Sequence, residues 1–469
     1  MRYKFLINSE AEGSFLFMQK LYKSQLGRIG LIGSVVVGLG LTIHALAPYL
    51  AVVASQSAEP ELAAMMFDAA VIFLLGFVCH YLAQGSSFPS FVIAILVGMA
   101  VRPLLHPFLE NELNLALAVT VGATLILFQG GLETPFANFR KLFPKIFMLA
   151  FPGVLLTAFL LSVVVLWGAG ALDIVVTPTV AVLLGAILAS TDPAAIVPLL
   201  KGLRFKDPAT KDIVVSESAL NDVVGALLTL VFVGFVVGGN AFESLPSAYQ
   251  QLTNVNALII LAKQFTFGVI AGLIGYGLIR FLARHKRDHE QTHAVDTAFF
   301  FAVPIIVFPL ALLVGGSGYL AAFVAGLMTH LEEHLGKIEE FFNDVIDGFV
   351  KPLIFGLLGA LVEPTSLLQY AGIGLLAAAA FIFVIRPLVV FLMLGGFAGA
   401  KQLSFGQLLF ISFVRETGAI PAVLLVTVVG LGLPNVEPLV PIGMWVILMT
   451  LLVLPPITPW LARKTGVAE

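Results

Sequence analysis

Apolar residues lie along this chain in long unbroken blocks, without the alternation of a half-buried strand or the single stripe of a helix that faces water. The blocks run near 29–54, 66–84, 88–105, 113–132, 146–168, 174–200 and 212–238, then near 257–279, 294–315, 318–331, 348–362, 370–397, 404–431 and 439–462. Most approach the roughly 20 residues that cross a bilayer as a helix. Barrel strands would instead alternate over about ten residues. The pattern predicts an all-α membrane protein with about 14 transmembrane helices.

Composition removes the alternative of a soluble enzyme. Of 469 residues, 59% are hydrophobic and only 11% charged, and the mean hydropathy is +1.02. An average globular chain carries about 25% charged residues, so this one could not cover a surface in water. The single cysteine, Cys79, has no partner for an internal disulfide, and no CxxC or Cys/His zinc spacing occurs. The first apolar run is too long for the core of a cleaved signal peptide. Residues 1–27 are mixed: Phe15, Met18 and Tyr22 would share one stripe of an interfacial helix, and a frayed polar end is the plainer reading.

The net charge of −3 matters less than where the charges sit. With the N-terminus inside and every block crossing, 20 of the 25 Lys and Arg fall in inner segments, and only Arg102 falls in an outer one. One missed span would invert every later loop. The bias therefore predicts a multi-pass protein of a cell (inner) membrane with both termini cytoplasmic.

Four basic residues remain inside the blocks: Lys263, Lys351, Arg386 and Arg415. An ionisable group there costs about 2.5–3.5 kcal/mol on insertion scales, so each needs a partner or a task. Lys351 follows Asp347 by four residues and reads as a boundary residue that snorkels or pairs. The dense cluster lies on the sixth and seventh blocks. The sixth contains Ser190-Thr191-Asp192-Pro193, where Pro193 removes an amide donor and frees carbonyls. The seventh contains Glu217-Ser218-Ala219-Leu220-Asn221-Asp222, which puts Ser218 and Asp222 on one stripe and Glu217 and Asn221 on the next.

The thirteenth block is broken too, at Arg415-Glu416-Thr417-Gly418. Taking blocks two to seven and nine to fourteen as six-helix units makes the broken helix fifth in each. Paired interruptions of this kind point to an inverted-repeat transporter with its site at the midplane. The division is then 1–27 as a cytoplasmic segment and 28–65 as an extra first helix. Residues 66–239 form the first repeat, 240–293 a linker helix with a basic loop, and 294–469 the second repeat with a short tail.

A carboxylate at Asp222, hydroxyls at Thr191 and Ser218, and loosened carbonyls are hard oxygen ligands that suit a weakly held Na+ or K+. Burial favours the protonated acid, so proton and cation would compete for one group. Such competition, at a site open to one side at a time, is exchange. Asp192 and Asp222 could instead be helix-packing hydrogen bonders, and Glu217 with Arg386 reads as a structural ion pair.

These motifs resemble the monovalent cation/proton antiporter superfamily, in its sodium/proton exchanger (NhaP/NHE-like) branch. Thr191-Asp192-Pro193 is similar to that branch's "TDP", Glu217 to Asp222 to "ESLLND", and Phe128-Gln129-Gly130-Gly131-Leu132-Glu133 to "FEGGLE". Ser317-Gly318 is similar to the start of "SGILA", Arg386-Pro387-Leu388 to a late core-helix arginine, and Gly418-Ala419-Ile420-Pro421 to the end of "RGAVP". The resemblance covers residues 66–462 in order. It implies an NhaA-like fold with crossed broken helices, a homodimer, and elevator-like alternating access. It implies that Asp222 carries the cation or proton, with Asp192, Thr191 and Ser218 around it and Glu217, Asn221 and Arg386 as support. The Asn221-Asp222 pair implies electroneutral one-for-one exchange of Na+, or of Li+. Two departures stand out. Gln129 replaces the usual Glu, and Thr417 replaces the usual Arg, which leaves Arg415-Glu416 to stabilise the break as an internal pair.

His289-Glu290-Gln291-Thr292-His293 matches the HExxH zinc pattern but follows a basic run in an inner segment, where an intramembrane protease could not use it. A solvated loop is the plain reading. If the segment is helical, His285, His289 and His293 would line up as a pH-responsive patch. The rival functions are a K+/H+ antiporter of the same architecture, a cation channel gated by that patch, and a zinc protease. No cofactor beyond the transported ions and no nucleic-acid partner is expected. Lipid and a second copy of the chain are the expected neighbours.

Overall fold

With no water in a bilayer core, a chain this apolar must satisfy its peptide groups internally. The computed structural model describes residues 25–55, 60–83, 90–191, 200, 202–239, 241–288, 294–330, 332, 335–395 and 403–469. Apart from one isolated bridge, all regular structure among these residues is helical. The stripe at Phe15, Met18 and Tyr22, the break residues Asp192 and Pro193, and His289 and His293 lie outside the described residues.

The first half contains α1 (Gln25–Ser55), α2 (Pro60–Ala83), α3 (Ser90–Glu110), α4 (Glu112–Leu132), α5 (Phe136–Ala171), α6 (Pro178–Leu188) and α7 (Pro208–Val237). The second contains α8 (Val255–Asp288), α9 (Ala294–Leu313), α10 (Gly318–Thr329), α11 (Gly336–Val345), α12 (Lys351–Leu361), α13 (Ala371–Gly395), α14 (Phe405–Phe413), α15 (Ala419–Gly430) and α16 (Leu439–Lys464). Nine helices among the described residues are long and apolar enough to cross a bilayer, and α6, α10 and α15 are shorter apolar helices.

Most ends fall within a few residues of the apolar blocks, and the exceptions have local causes. The helix α5 starts about ten residues before its block because Arg140, Lys141 and Lys145 are good helix formers on an amphipathic lead-in. Likewise α8 runs on to Asp288, so Arg280–Asp288 extends a helix and is not loop. Basic side chains at a helix C-terminus face the favourable end of its dipole. In α13, Pro387 has no N–H to give, and π-turns flank it at Phe381–Ile385 and Phe391–Gly395.

Helix crossings depend on small residues, since lipid tails give apolar side chains little reason to prefer each other. At the α4–α10 crossing, a Cβ on Gly131 would lie 2.3 Å from the Phe323 carbonyl oxygen, and one on Gly326 would lie 2.2 Å from that of Phe128. The two backbones touch, which holds the Phe128–Glu133 motif firmly against α10. Phe128, Phe300 and Phe342 pack edge to face around it with centroids 5.2–5.6 Å apart. At the chain's end, Lys206 N donates to Val467 O (3.0 Å) and Glu469 N to Arg204 O (3.0 Å), pinning the tail to the segment between α6 and α7.

Candidate functional site

The site is assembled where α7 crosses the ends of two interrupted helices. α7 starts on an Asp207 cap, whose Oδ1 accepts from Ala209 N at 3.0 Å, followed by Pro208 in the first turn. Its middle carries Ser216, Glu217, Ser218, Asn221 and Asp222, all buried. α6 starts on a Thr177 cap and stops at Leu188, and Ser190 and Thr191 continue without helical bonding.

Side chains of α7 replace the hydrogen bonds that this break forgoes. Thr191 N donates to Asn221 Oδ1 (3.1 Å), and Ser218 Oγ donates to the Thr191 carbonyl. Asn221 Nδ2 donates to Thr191 Oγ1 (2.8 Å) and to Glu217 Oε1 (2.9 Å). Ser190 Oγ donates to Asp222 Oδ1 at 2.5 Å, a charge-assisted distance. Gly225 permits this approach: a Cβ there would lie 2.6 Å from that of Ser190. The two stripes of α7 therefore divide the work. Asn221 and Ser218 hold the break, while Asp222 receives the Ser190 hydroxyl.

The second interruption, Val414–Gly418 between α14 and α15, reaches the same place. Arg415 is fully buried; its Nη2 donates to Val214 O (2.6 Å) and contacts Glu217 Oε2, and its Nη1 donates to Thr191 Oγ1 (3.4 Å). The expected Glu217–Arg386 pair is therefore looser than expected: Arg386 Nη2 lies 3.8 Å from Glu217 Oε1, outside hydrogen-bond range. The direct partner of Glu217 is Arg415. Nor is Arg415 engaged only within its own break, because its long side chain crosses to α7 while Glu416 stays buried next to it. Thr417 bonds Thr450 on α16 through its N–H (3.1 Å) and its hydroxyl (2.7 Å). Gly418 directly precedes α15.

Beside Asp222 lies a cavity of about 30 Å³, also lined by Gln129, Glu133, Ser218 and Lys351, with room for about two water molecules. Gln129 Nε2 donates to Asp347 Oδ1 (3.0 Å), and its buried Oε1 has no hydrogen-bond partner among the described residues. Lys351 pairs with Asp347 at 2.8 Å, as its spacing predicted. Thus Asp222, Ser218 and Gln129 bring oxygen atoms to one small space, and Ser190 and Thr191 add theirs behind it by bonding Asp222 and Ser218 from the break. That is a set suited to a monovalent cation, with one carboxylate able to take a proton instead.

Some sequence-predicted residues do not join this cluster. His285 is exposed at the end of α8. Among the described residues, no three His, Cys, Asp or Glu side chains could hold a metal ion. Conversely, Ser190 and Lys351 entered the site only with the structure. Ser190 directly precedes Thr191 in the break, which was the available signal; Lys351 gave none beyond its pairing with Asp347.

Fold and site define a multi-pass helical membrane protein built around a buried polar cluster at two helix interruptions. The sodium/hydrogen exchanger transmembrane family matches residues 69–464, and the chain belongs to that family. It is 28% identical over 361 residues to the K(+)/H(+) antiporter NhaP of Alkalimonas amylolytica, covering 76% of this chain and 58% of that protein. Over 346 residues it is 32% identical to the K(+)/H(+) antiporter NhaP2 of Shewanella sp. (strain MR-4), covering 72% and 55%. The chain thus spans less than two thirds of these relatives' length. It is 26% identical over 372 residues to Na(+)/H(+) antiporter 1 of Methanocaldococcus jannaschii, covering 76% and 81%. The solved structure of the sodium proton antiporter MjNhaP1 from that organism superimposes with a TM-score of 0.69 at 22% identity, over 86% of this chain and 99% of the other, and so shares its fold.

Proposed function

We propose that the chain is a secondary active antiporter that exchanges a monovalent cation, Na+ or Li+, for H+ at Asp222, one for one and without net charge movement. One observation carries this reading. A buried carboxylate faces a small cavity and is held by a Ser190 hydroxyl from a helix interruption, so a proton and a dehydrated cation can be bound only in turn. Family membership and the antiporters named among the relatives support it.

On this reading the chain crosses a cell membrane about 14 times with both termini cytoplasmic. Residues 28–65 are an added first helix, 66–239 and 294–469 are inverted repeats, and 240–293 connect them. The meeting of both interruptions on α7 supports crossed broken helices. The chain works as a homodimer in lipid, and the cluster moves as a unit in alternating access. Asp192 would add a second carboxylate from the α6 break.

A second reading, K+ as the cation, is favoured by Gln129: one carboxylate fewer beside the cavity lowers the field that would strip water from a small ion. The relatives that share 28% and 32% identity are named for K+. Exchange should be followed in proteoliposomes under an imposed pH gradient with Na+, Li+ and K+ in turn. A potassium/valinomycin clamp should leave the rate unaltered; current driven by voltage alone would point to a channel, and no cation-dependent proton movement at all would reject the proposal.

A further inference from the structure

We propose that the Lys351 ammonium is a tethered cation that guards the approach to Asp222 and sets how much free cation is needed to load the site. The inference rests on the antiporter reading above and adds a residue which that reading does not use.

Lys351 is more than nine-tenths buried, so its stem is held inside the protein. It lines the same small cavity as Asp222, together with Glu133 and Gln129. Two residues of the lining lie near one end of the helix bundle: Glu133 caps the C-terminus of α4 and Val215 sits in the second turn of α7, while Lys351 continues the helix of α11 through the π-turn Ile346–Val350. That end borders the basic segments 133–145 and 200–212. The cavity is therefore a vestibule between Asp222 and that side, and an entering ion meets an ammonium on its wall.

The tether has its own support. Asp347, one turn earlier, holds Lys351 Nζ at 2.8 Å, and the same Oδ1 takes a hydrogen bond from Gln129 Nε2 at 3.0 Å. The Asp347 side chain is about half exposed, so it draws the ammonium to the rim while the lysine stem stays buried. The charged groups around the vestibule are Lys351, Asp347, Glu133 and Asp222. Like charges repel with little screening in a partly dry cavity, so the balance among these four sets the local cation concentration. Lys351 and an incoming ion compete for the same negative field.

Opposite signs of effect separate this role from a merely structural one. Initial exchange rates of the full chain in proteoliposomes should be measured against Na+ and K+ at a fixed pH gradient for wild type, Lys351→Met, Lys351→Arg and Asp347→Asn. Lys351→Met is expected to lower the apparent KM about five- to tenfold, well below the bare repulsion of a like charge at short range because the pair with Asp347 cancels most of it. Lys351→Arg should stay close to wild type, and Asp347→Asn, which releases the ammonium and removes an anion, should raise the KM. An unchanged or raised KM in Lys351→Met, or both neutral variants moving the same way, would overturn the proposal. If Lys351→Met does not fold, Asp347→Asn decides by itself, because its site is half exposed: a KM that stays or falls rejects the tether. The cation dependence of the thermal unfolding midpoint should follow the same order. If wild type binds cation by that measure yet exchanges nothing, the antiporter reading fails while the order of midpoints still tests Lys351. If wild type shows neither, both fail together.

Discussion

Arg415 Nη1 donates to Thr191 Oγ1 at 3.4 Å, and this bond joins the two helix interruptions across 224 residues of sequence. Around it Arg415 also holds Glu217 and the Val214 carbonyl, while Asn221 holds Thr191 from below. The broken ends are thus fastened to α7 and to each other. A polar cluster of this kind, if fully paired, specifies one arrangement of otherwise interchangeable apolar helices.

Arg415→Met should be more damaging than Arg386→Met. The first leaves Glu217 buried with its direct partner gone, which costs about 3–5 kcal/mol for a broken buried pair. The second removes a charge that lies 3.8 Å away. Thermal unfolding in detergent compares them; equal midpoints would mean that the two arginines share Glu217 evenly.

Asp222→Asn should end cation-dependent proton movement while leaving the fold intact, because an amide fits the same space but cannot exchange a proton or offer a charge. Proteoliposome dequenching measures this directly. Full activity in that variant would remove Asp222 from the site.

Ser190→Ala is expected to raise the apparent KM for the cation about tenfold, because the hydroxyl that donates to Asp222 Oδ1 fixes this carboxylate beside the cavity; a hydrogen bond to a charged group contributes about 1.5–3 kcal/mol. Gly225→Ala should act the same way, since its methyl would push Ser190 off Asp222. Exchange rates against cation concentration measure both, and an unchanged KM would contradict the argument.

Asn221→Asp should lower the unfolding midpoint more than Asn221→Ala. An aspartate loses the donors to Thr191 and Glu217 and places like charge against a buried carboxylate one turn away. Side-by-side melting curves test the order.

Gly326→Val should cost about 1–3 kcal/mol or more, the range for overpacking, because the obstacle is the Phe128 backbone, which cannot rotate aside. A change of similar size at Gly170, where nothing lies within 4 Å, should be tolerated. Comparing their melting midpoints checks the α4–α10 crossing.

The helices were legible in the chain because the bilayer allows few other structures. Continuous apolar runs marked nearly every end, and Gly418 and the polar clusters marked where helices stop. Overshoots such as α8 to Asp288 came from good helix formers whose charge hid the continuation. Ser218, Asn221 and Asp222 could be placed together because one helix carries them at fixed spacing.

Partnerships between helices were a different matter. Linear order offered Arg386 for Glu217, and that ion pair stands at 3.8 Å, but a guanidinium's reach and the angle of two broken helices brought Arg415 to Glu217 as well, and closer. It likewise read Lys351 as a boundary residue, whereas packing of α12 against α3 and α4 set its side chain on the wall of the cavity beside Asp222. What the chain alone determined was what each helix has to satisfy, since burial cost and hydrogen-bond need belong to the residue itself. Which group satisfies it was decided only by tertiary structure, because several partners of suitable charge exist and distance selects among them.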